Sequence, residues 1–120
     1  MITIKRVYEA PTRADGTRIL VDRLWPRGIK KEDAHVEQWI RELGPSAELR
    51  RFFRHDPARW EQFQKRYLAQ LKQPQIKALL AELENIARSG PLTLVYSAKD
   101  QHHNQALVLK ELLEKRLQER

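Results

Sequence analysis

Apolar residues follow two kinds of pattern along the chain, and together these predict a mixed α/β fold. Short apolar and β-branched runs predict three strands, at residues 1–8, 18–24 and 92–96. Between the second and third runs, apolar residues recur every three or four positions, which is typical of amphipathic helices. A long helical segment between two strands usually connects parallel strands. We therefore predict a small α/β domain spanning residues 1–120, with a mostly parallel three-stranded sheet and helices packed on it.

Proline, glycine and helix-capping residues divide the helical part of the chain. Gly44-Pro45 and Ser89-Gly90-Pro91 are stop signals, and Asp56-Pro57 is a strong start signal. They predict helices over residues 36–43, from Ser46 to Phe53, from Pro57 to before Pro74, from Pro74 to Arg88, and around residues 106–117. Asp33 is the expected cap of the first of these helices.

Charged and polar side chains follow two of the predicted strands at the point where each strand ends. The segment DRLWPRG (22–28) follows the second strand, and the segment SAKDQHHN (97–104) follows the third. Because the carboxyl ends of parallel strands meet at one edge of a sheet, we expect these two segments to lie together. Ligands of open α/β folds bind at this edge, so the sequence predicts a site here.

The residue types in these segments suit an anionic ligand such as a phosphorylated small molecule or nucleotide. Arg23 and Arg27 offer bidentate donors and Lys99 adds a point charge. Ser97 and Asn104 lie at or before the start of a helix, whose N–H groups attract an anion.

Two further residues complete this hypothesis. Trp25 would stack on a base, and Asp22 would orient an arginine or bind a hydroxyl group. If a reaction follows binding, Asp22 is the predicted catalytic acid or base. A purely structural interpretation stays open, in which Asp22 and Arg23 pair with neighbours, Trp25 is a packing anchor, and Ser97, Asp100 or Asn104 only cap the last helix.

The charge balance favours an anionic partner, because 23 lysines and arginines face 16 acidic residues, a formal net charge of +7. Basic residues are concentrated in residues 1–31 and at Arg50, Arg51 and Arg54. Nucleic-acid binding is therefore an alternative hypothesis, although no nucleic-acid-binding motif supports it. A protein-interaction module is a third hypothesis, and the sequence does not define the oligomeric state.

Several classes of chemistry are not expected from the composition. The chain has no cysteine, which excludes disulfides, thiolate metal sites and cysteine nucleophiles. The four histidines lack metal-binding spacing, so no metal and no cofactor is predicted. No signal peptide or membrane span is recognisable, and we expect a cytoplasmic protein without a membrane partner.

Three motifs resemble a known family over nearly the whole chain. They are LVDRLWPRGIKK (20–31), LGPSAELRRFFRHDPARWEQFQKRY (43–67) and LTLVYSAKDQHHNQALVLKELL (92–113), and they are similar to the YeaO-like branch of domain of unknown function 488. The resemblance implies signature positions at Asp22, Arg23, Trp25, Pro26, Arg27, Gly28, Lys99, Asp100 and Asn104. It implies no reaction, because the family has none established.

The chain departs from broader relatives of that family at two places. Those relatives tend to carry cysteine after the third strand and a Cys-His-Arg group at the last helix, whereas this chain has Tyr96-Ser97-Ala98 and His102-His103-Asn104. Thiol chemistry proposed for such relatives is therefore not transferable to this chain.

Overall fold

The apolar runs of the sequence form the strands of a parallel sheet. In the computed structural model, which describes residues 1–119, the strands are β1 (Ile2–Arg6), β2 (Thr17–Leu20), β3 (Gln38–Trp39) and β4 (Leu92–Tyr96). Their order in the sheet is β1-β4-β2-β3, and every neighbouring pair is parallel. All five residues of β4 are buried, as expected for an apolar strand between two neighbours and two covered faces.

The register brings the carboxyl ends of two strands side by side. Ile19 of β2 pairs with Leu94 of β4, and Leu20 pairs with Val95. The backbone N–H of Val21 still donates to the carbonyl of Val95 at 3.0 Å. The two polar segments that follow therefore leave the sheet at the same edge, as the sequence predicted.

Five α-helices cover the sheet within the described residues. They are α1 (Lys31–Ala34), α2 (Ala47–Phe53), α3 (Trp60–Leu71), α4 (Pro74–Ser89) and α5 (Gln105–Gln118). Most of the apolar core lies between one face of the sheet and α2 to α5, and a smaller cluster around Val7, Leu20, Ala34 and Val95 lies on the other face. Among residues 1–119 no helix combines the length and the apolar content needed to cross a membrane.

The predicted fold class is confirmed, with one correction to the sheet. It is an α/β fold with helices packed on a parallel sheet, but the sheet has four strands rather than three. The additional strand, β3, has only two residues, and its pairing with Ile19 and Leu20 is not visible as a sequence period.

The helix predicted over residues 36–43 is wrong. The backbone of His35 adopts a left-handed conformation with φ 52°, which ends α1 after four residues. Glu37 N–H then donates to the carbonyl of Arg18 at 2.8 Å, and Ile40 N–H donates to that of Leu20 at 3.0 Å. Pairing with β2 therefore outweighs the local helical spacing of apolar residues, and a short 3-10 turn (Arg41–Leu43) follows.

Candidate functional site

A cavity of about 880 Å³ lies at the sheet edge where β2 and β4 end. Both polar segments that follow these strands line it, together with part of α2 and the start of α5. All seven site residues predicted from the sequence are among the lining residues: Asp22, Arg23, Trp25, Arg27, Ser97, Lys99 and Asn104. The topology thus brings together side chains that are separated by up to 82 positions in the chain (104 − 22).

Asp22 provides a buried carboxyl group in the cavity wall. Its residue surface is 7% exposed, and Gln105 donates an amide N–H to its Oδ1 at 2.7 Å. Burial raises the pKa of Asp22, and hydrogen bonds from Ser97 and Gln105 and the nearby Arg50 charge only partly offset this. Asp22 therefore links the end of β2 to Ser97 after β4 and to the first residue of α5.

Arg23 is tied to the chain segment that precedes α2. Its Nη2 donates to the carbonyl of Gly44 at 2.9 Å, and its Nε donates to that of Pro45 at 3.4 Å. Gly44 passes so close that a Cβ atom there would overlap the backbone of Arg23. Arg23 thus lines the cavity and at the same time holds one of its walls in place.

Trp25 is anchored by its own packing. Its indole Nε1 donates to the carbonyl of Ile29 at 2.8 Å, and its ring meets that of Trp39 edge-on, with the centroids 5.4 Å apart. The ring packs against the smaller apolar cluster on the far face of the sheet. These contacts support the interpretation of Trp25 as a packing anchor, although part of the residue also lines the cavity.

Asn104 caps α5, as the structural interpretation of this residue predicted. Its Oδ1 accepts from the backbone N–H of Leu107 at 3.0 Å, and its Nδ2 donates to the carbonyl of Asp100 at 3.0 Å. The residue is 2% exposed. Both ends of the amide are therefore engaged in holding the start of the helix.

The remaining predicted cations, Arg27 and Lys99, are exposed at the cavity rim. The loop that carries Arg27 is held by Tyr8, whose hydroxyl group donates to the Arg27 carbonyl at 2.7 Å. Ser97 is half-buried beside Asp22. The predicted residues thus divide into buried ones that organise the cavity and exposed ones that give its rim a positive charge.

Sequence reasoning missed the contribution of α2 and the loop after it. Arg50, Arg51, Phe53 and His55 also line the cavity. The Nε of Arg50 is buried and has no hydrogen-bond partner among the described residues. The only sequence signal was the basic cluster around Arg50, and nothing local to it indicated the strand ends.

A row of aromatic rings forms one side of the cavity. The rings of Phe53 and Phe63 are stacked with centroids 4.4 Å apart, and the His55 ring lies 6.1 Å from that of Phe53. At the other end, His103 meets Trp60 edge-on at 5.3 Å. Of these residues, Phe53, Phe63, His55 and His103 line the cavity, which makes this part of its lining largely aromatic.

His103 is held by Asp100, whose Oδ2 lies 2.8 Å from its Nδ1. The backbone N–H of His102 and the His103 ring lower the pKa of Asp100, so this carboxyl is ionised under neutral conditions. Within residues 1–119 no group of three histidine or acidic side chains is arranged to hold a metal ion.

The charges around the cavity are unbalanced. Five cationic side chains line it, namely Arg23, Arg27, Arg50, Arg51 and Lys99, against the two carboxyl groups of Asp22 and Asp100. Across the described residues, no ion pair within 4.0 Å includes any of these five cations. Within the described residues, no ion pair therefore neutralises the charge of these five side chains.

Fold and site together define a parallel α/β protein with a cationic pocket at the carboxyl ends of its central strands. The chain belongs to the family DUF488-N3i, described as the inactive DUF488-N3 subclade, whose model matches residues 1–120. The resemblance to the YeaO-like DUF488 family is thereby confirmed.

Two relatives illustrate how similar the chain is to other members. It is 47% identical over 112 residues to the uncharacterized protein YeaO of Escherichia coli strain K12, covering 93% of this chain and 96% of that one. It is 38% identical over 112 residues to the uncharacterized protein Rv3073c of Mycobacterium tuberculosis strain H37Rv, covering 93% and 92% of the two chains. No solved structure matches the chain significantly.

Proposed function

We propose that the chain binds a phosphorylated small molecule in the pocket at the ends of β2 and β4. The observation that carries this proposal is the group of five cationic side chains around one cavity, none of them in an ion pair of the described residues. Several positive charges around one cavity repel one another, and a bound phosphate removes that repulsion. The ligand therefore supplies the missing negative charge.

Arg50 adds an argument from hydrogen bonding. A buried donor without a partner lowers stability by about 1–3 kcal/mol, so such donors in native proteins usually have a partner or a function. The Nε of Arg50 is such a donor, in a residue that lines the pocket. An oxygen acceptor of the bound ligand satisfies it, since arginine readily donates to oxygen acceptors.

Binding without turnover is the form of this function that we favour. The matching family is described as inactive, and the chain has no cysteine to act as a nucleophile. In this proposal Asp22 organises the pocket and contacts the ligand. A catalytic acid or base role for Asp22 stays a prediction that depends on turnover being observed.

Replacement of Lys99 or Arg27 by alanine tests the proposal. We expect ribose 5-phosphate to raise the melting temperature of the wild-type protein, because a ligand that binds only the folded state stabilises it. Each replacement removes one charged contact and should weaken binding by about tenfold. Lys77→Ala is the matched control, since Lys77 is exposed on α4 and does not line the pocket.

Equal affinity of Lys99→Ala, Arg27→Ala and Lys77→Ala for the ligand would contradict a phosphate site at this edge. So would the absence of any shift in the wild-type protein at millimolar phosphate ester. Circular dichroism of each variant checks that the fold is retained.

Nucleic-acid binding is a second candidate, favoured by the basic surface next to the pocket. The Phe52 ring lies beneath the guanidinium groups of Arg66 and Arg59, whose central carbons are 3.9 and 5.3 Å from its centroid. Arg54, the residue after α2, is exposed, and its Nε donates to the carbonyl of the pocket residue Arg51 at 3.1 Å. Affinity for an oligonucleotide would then fall steeply with salt, whereas a small phosphate ester depends on fewer phosphate contacts.

A further inference from the structure

The chemistry of the pocket changes with depth. Three of its five cationic side chains, Arg27, Arg51 and Lys99, are exposed, and the other two, Arg23 and Arg50, are half-buried. Its buried lining residues include no lysine or arginine and are Asp22, Pro26, Pro45, Phe53, Phe63, Asn104 and Gln105. A positive rim therefore surrounds a floor that is partly aromatic and partly polar, with one carboxyl group.

The carboxyl group of Asp22 fixes which way round a phosphate ester enters. A phosphate next to Asp22 would meet a charge of its own sign in a poorly solvated place, which is strongly unfavourable. At the rim, the same phosphate meets Arg27 and Lys99. The phosphate therefore stays at the rim, and the rest of the molecule reaches the floor.

The floor suits a flat group that carries hydrogen-bond donors. The stacked rings of Phe53 and Phe63 offer an apolar surface, and aromatic groups pack on such surfaces in offset or edge-on arrangements. Beside it, Asp22 accepts hydrogen bonds from Gln105 and from the side chain and backbone of Ser97. A carboxylate has about four acceptor positions, so one is left for an N–H group of the occupant.

We infer that the phosphorylated ligand is a nucleotide whose base lies on the pocket floor and presents an exocyclic amino group to Asp22, with its phosphate at the rim. This inference rests on the proposed function and specifies its ligand class. The cavity of about 880 Å³ lies in the upper part of the range found for small-molecule sites. Cytosine, adenine and guanine carry such an amino group, whereas uracil carries keto oxygens in its place.

Cytidine and uridine 5′-monophosphate form the most sensitive pair of ligands for this inference. They have nearly the same shape and the same phosphate. At position 4 cytosine carries an amino group and uracil a keto oxygen, and the neighbouring N3 is an acceptor in cytosine and an N–H donor in uracil. The amino group donates to Asp22, and the keto oxygen is repelled by it. A hydrogen bond to a charged group contributes enough for about a tenfold preference for the cytidine nucleotide.

Isothermal titration of the wild-type protein with both nucleotides and with ribose 5-phosphate is the test. We expect the cytidine nucleotide to bind about tenfold more tightly than the uridine nucleotide, and ribose 5-phosphate to bind more weakly than the cytidine nucleotide. Asp22→Asn should bring the two nucleotides to similar affinity, because an amide both donates and accepts. Asp33→Asn, on the exposed surface of α1, is the matched control and should keep the preference.

The outcomes separate this inference from the function on which it rests. Equal binding of both nucleotides and ribose 5-phosphate, weakened by Lys99→Ala, would overturn base recognition and leave phosphate binding intact. No binding of any of the three would overturn both. The wild-type comparison decides the matter even if Asp22→Asn does not fold.

Discussion

Two buried aspartates differ in what surrounds their charge. Burial raises the pKa of Asp15, but hydrogen bonds from Thr12, Arg18 and Lys5 outweigh it and lower the value from 3.8 to about 2. Arg18 is itself buried and lies 2.7 Å from Asp15. For Asp22, burial dominates and the pKa is raised. Asp15 thus stabilises the fold as an anion, whereas the charge of Asp22 opposes it.

Asp15→Asn should destabilise the protein at neutral pH by about 3 kcal/mol, because it leaves the buried Arg18 without its partner. A carboxyl group with a lowered folded-state pKa contributes stability above its unfolded-state pKa, and this contribution is lost as the pH falls through the folded-state value. The difference in the free energy of unfolding between the wild type and Asp15→Asn should therefore narrow as the pH falls from about 4 towards 2. Urea unfolding at a series of pH values measures it.

Asp33→Asn is the control for this experiment, because Asp33 is exposed on α1. This substitution should change the free energy of unfolding by no more than about 0.5 kcal/mol at every pH. An Asp15→Asn variant as stable as wild type at neutral pH would contradict the assignment of Asp15 as a structural anion.

At the scale of elements, α5 depends on its N-terminal cap. Asn104→Ala removes the acceptor for Leu107 N–H and the donor to the Asp100 carbonyl, and should lower the free energy of unfolding by about 1–2 kcal/mol. Asn104→Ser keeps a capping oxygen and should lower the free energy of unfolding by less. Asn85→Ala on the exposed face of α4 is the control, and urea unfolding of the three variants is the measurement. Equal stability of Asn104→Ala and Asn85→Ala would show that this cap does not support the fold.

The elements that the sequence predicted well have strong local signals. The strand over 92–96 was predicted with the bounds that β4 has, since it is a continuous apolar run after Gly90-Pro91. The region 36–43 was predicted wrongly because its apolar spacing fits a helix equally well. Only contact with β2, which is distant in sequence, decides between the two, and a local pattern does not contain that contact.

The same limit applies to the pocket. Asp22 and Lys99 were found because polar residues after buried parallel strands share one edge of the sheet. Arg50 and Phe53 could not be found in this way, since α2 reaches that edge only through the folded path of the intervening chain. One contact that holds the segment before α2 at this edge is the hydrogen bond from Arg23 to the Gly44 carbonyl. The sequence alone does not reveal this contact.

For the whole molecule, the location of basic side chains without carboxylate partners says more about a binding site than the net charge of +7 does. Among the described residues, most buried or half-buried basic side chains that do not line the pocket have carboxylate partners, as in the contacts of Arg18 with Asp15 and of Arg116 with Glu84. Arg6, which donates to the carbonyls of Ser97 and Ala98, is an exception. At the pocket the cations are arranged without such partners. This contrast is the basis for placing an anionic ligand there rather than spreading it over the surface.

An NMR titration of the ¹⁵N-labelled protein with cytidine 5′-monophosphate tests this placement most directly. The account predicts that the amide signals that shift are confined to residues around the cavity, at 22–28, at 45–55, near Phe63 and at 97–105. Signals of α4, on which Lys77 lies, should stay in place. Shifts centred on α4, or no shifts at millimolar nucleotide, would contradict the account.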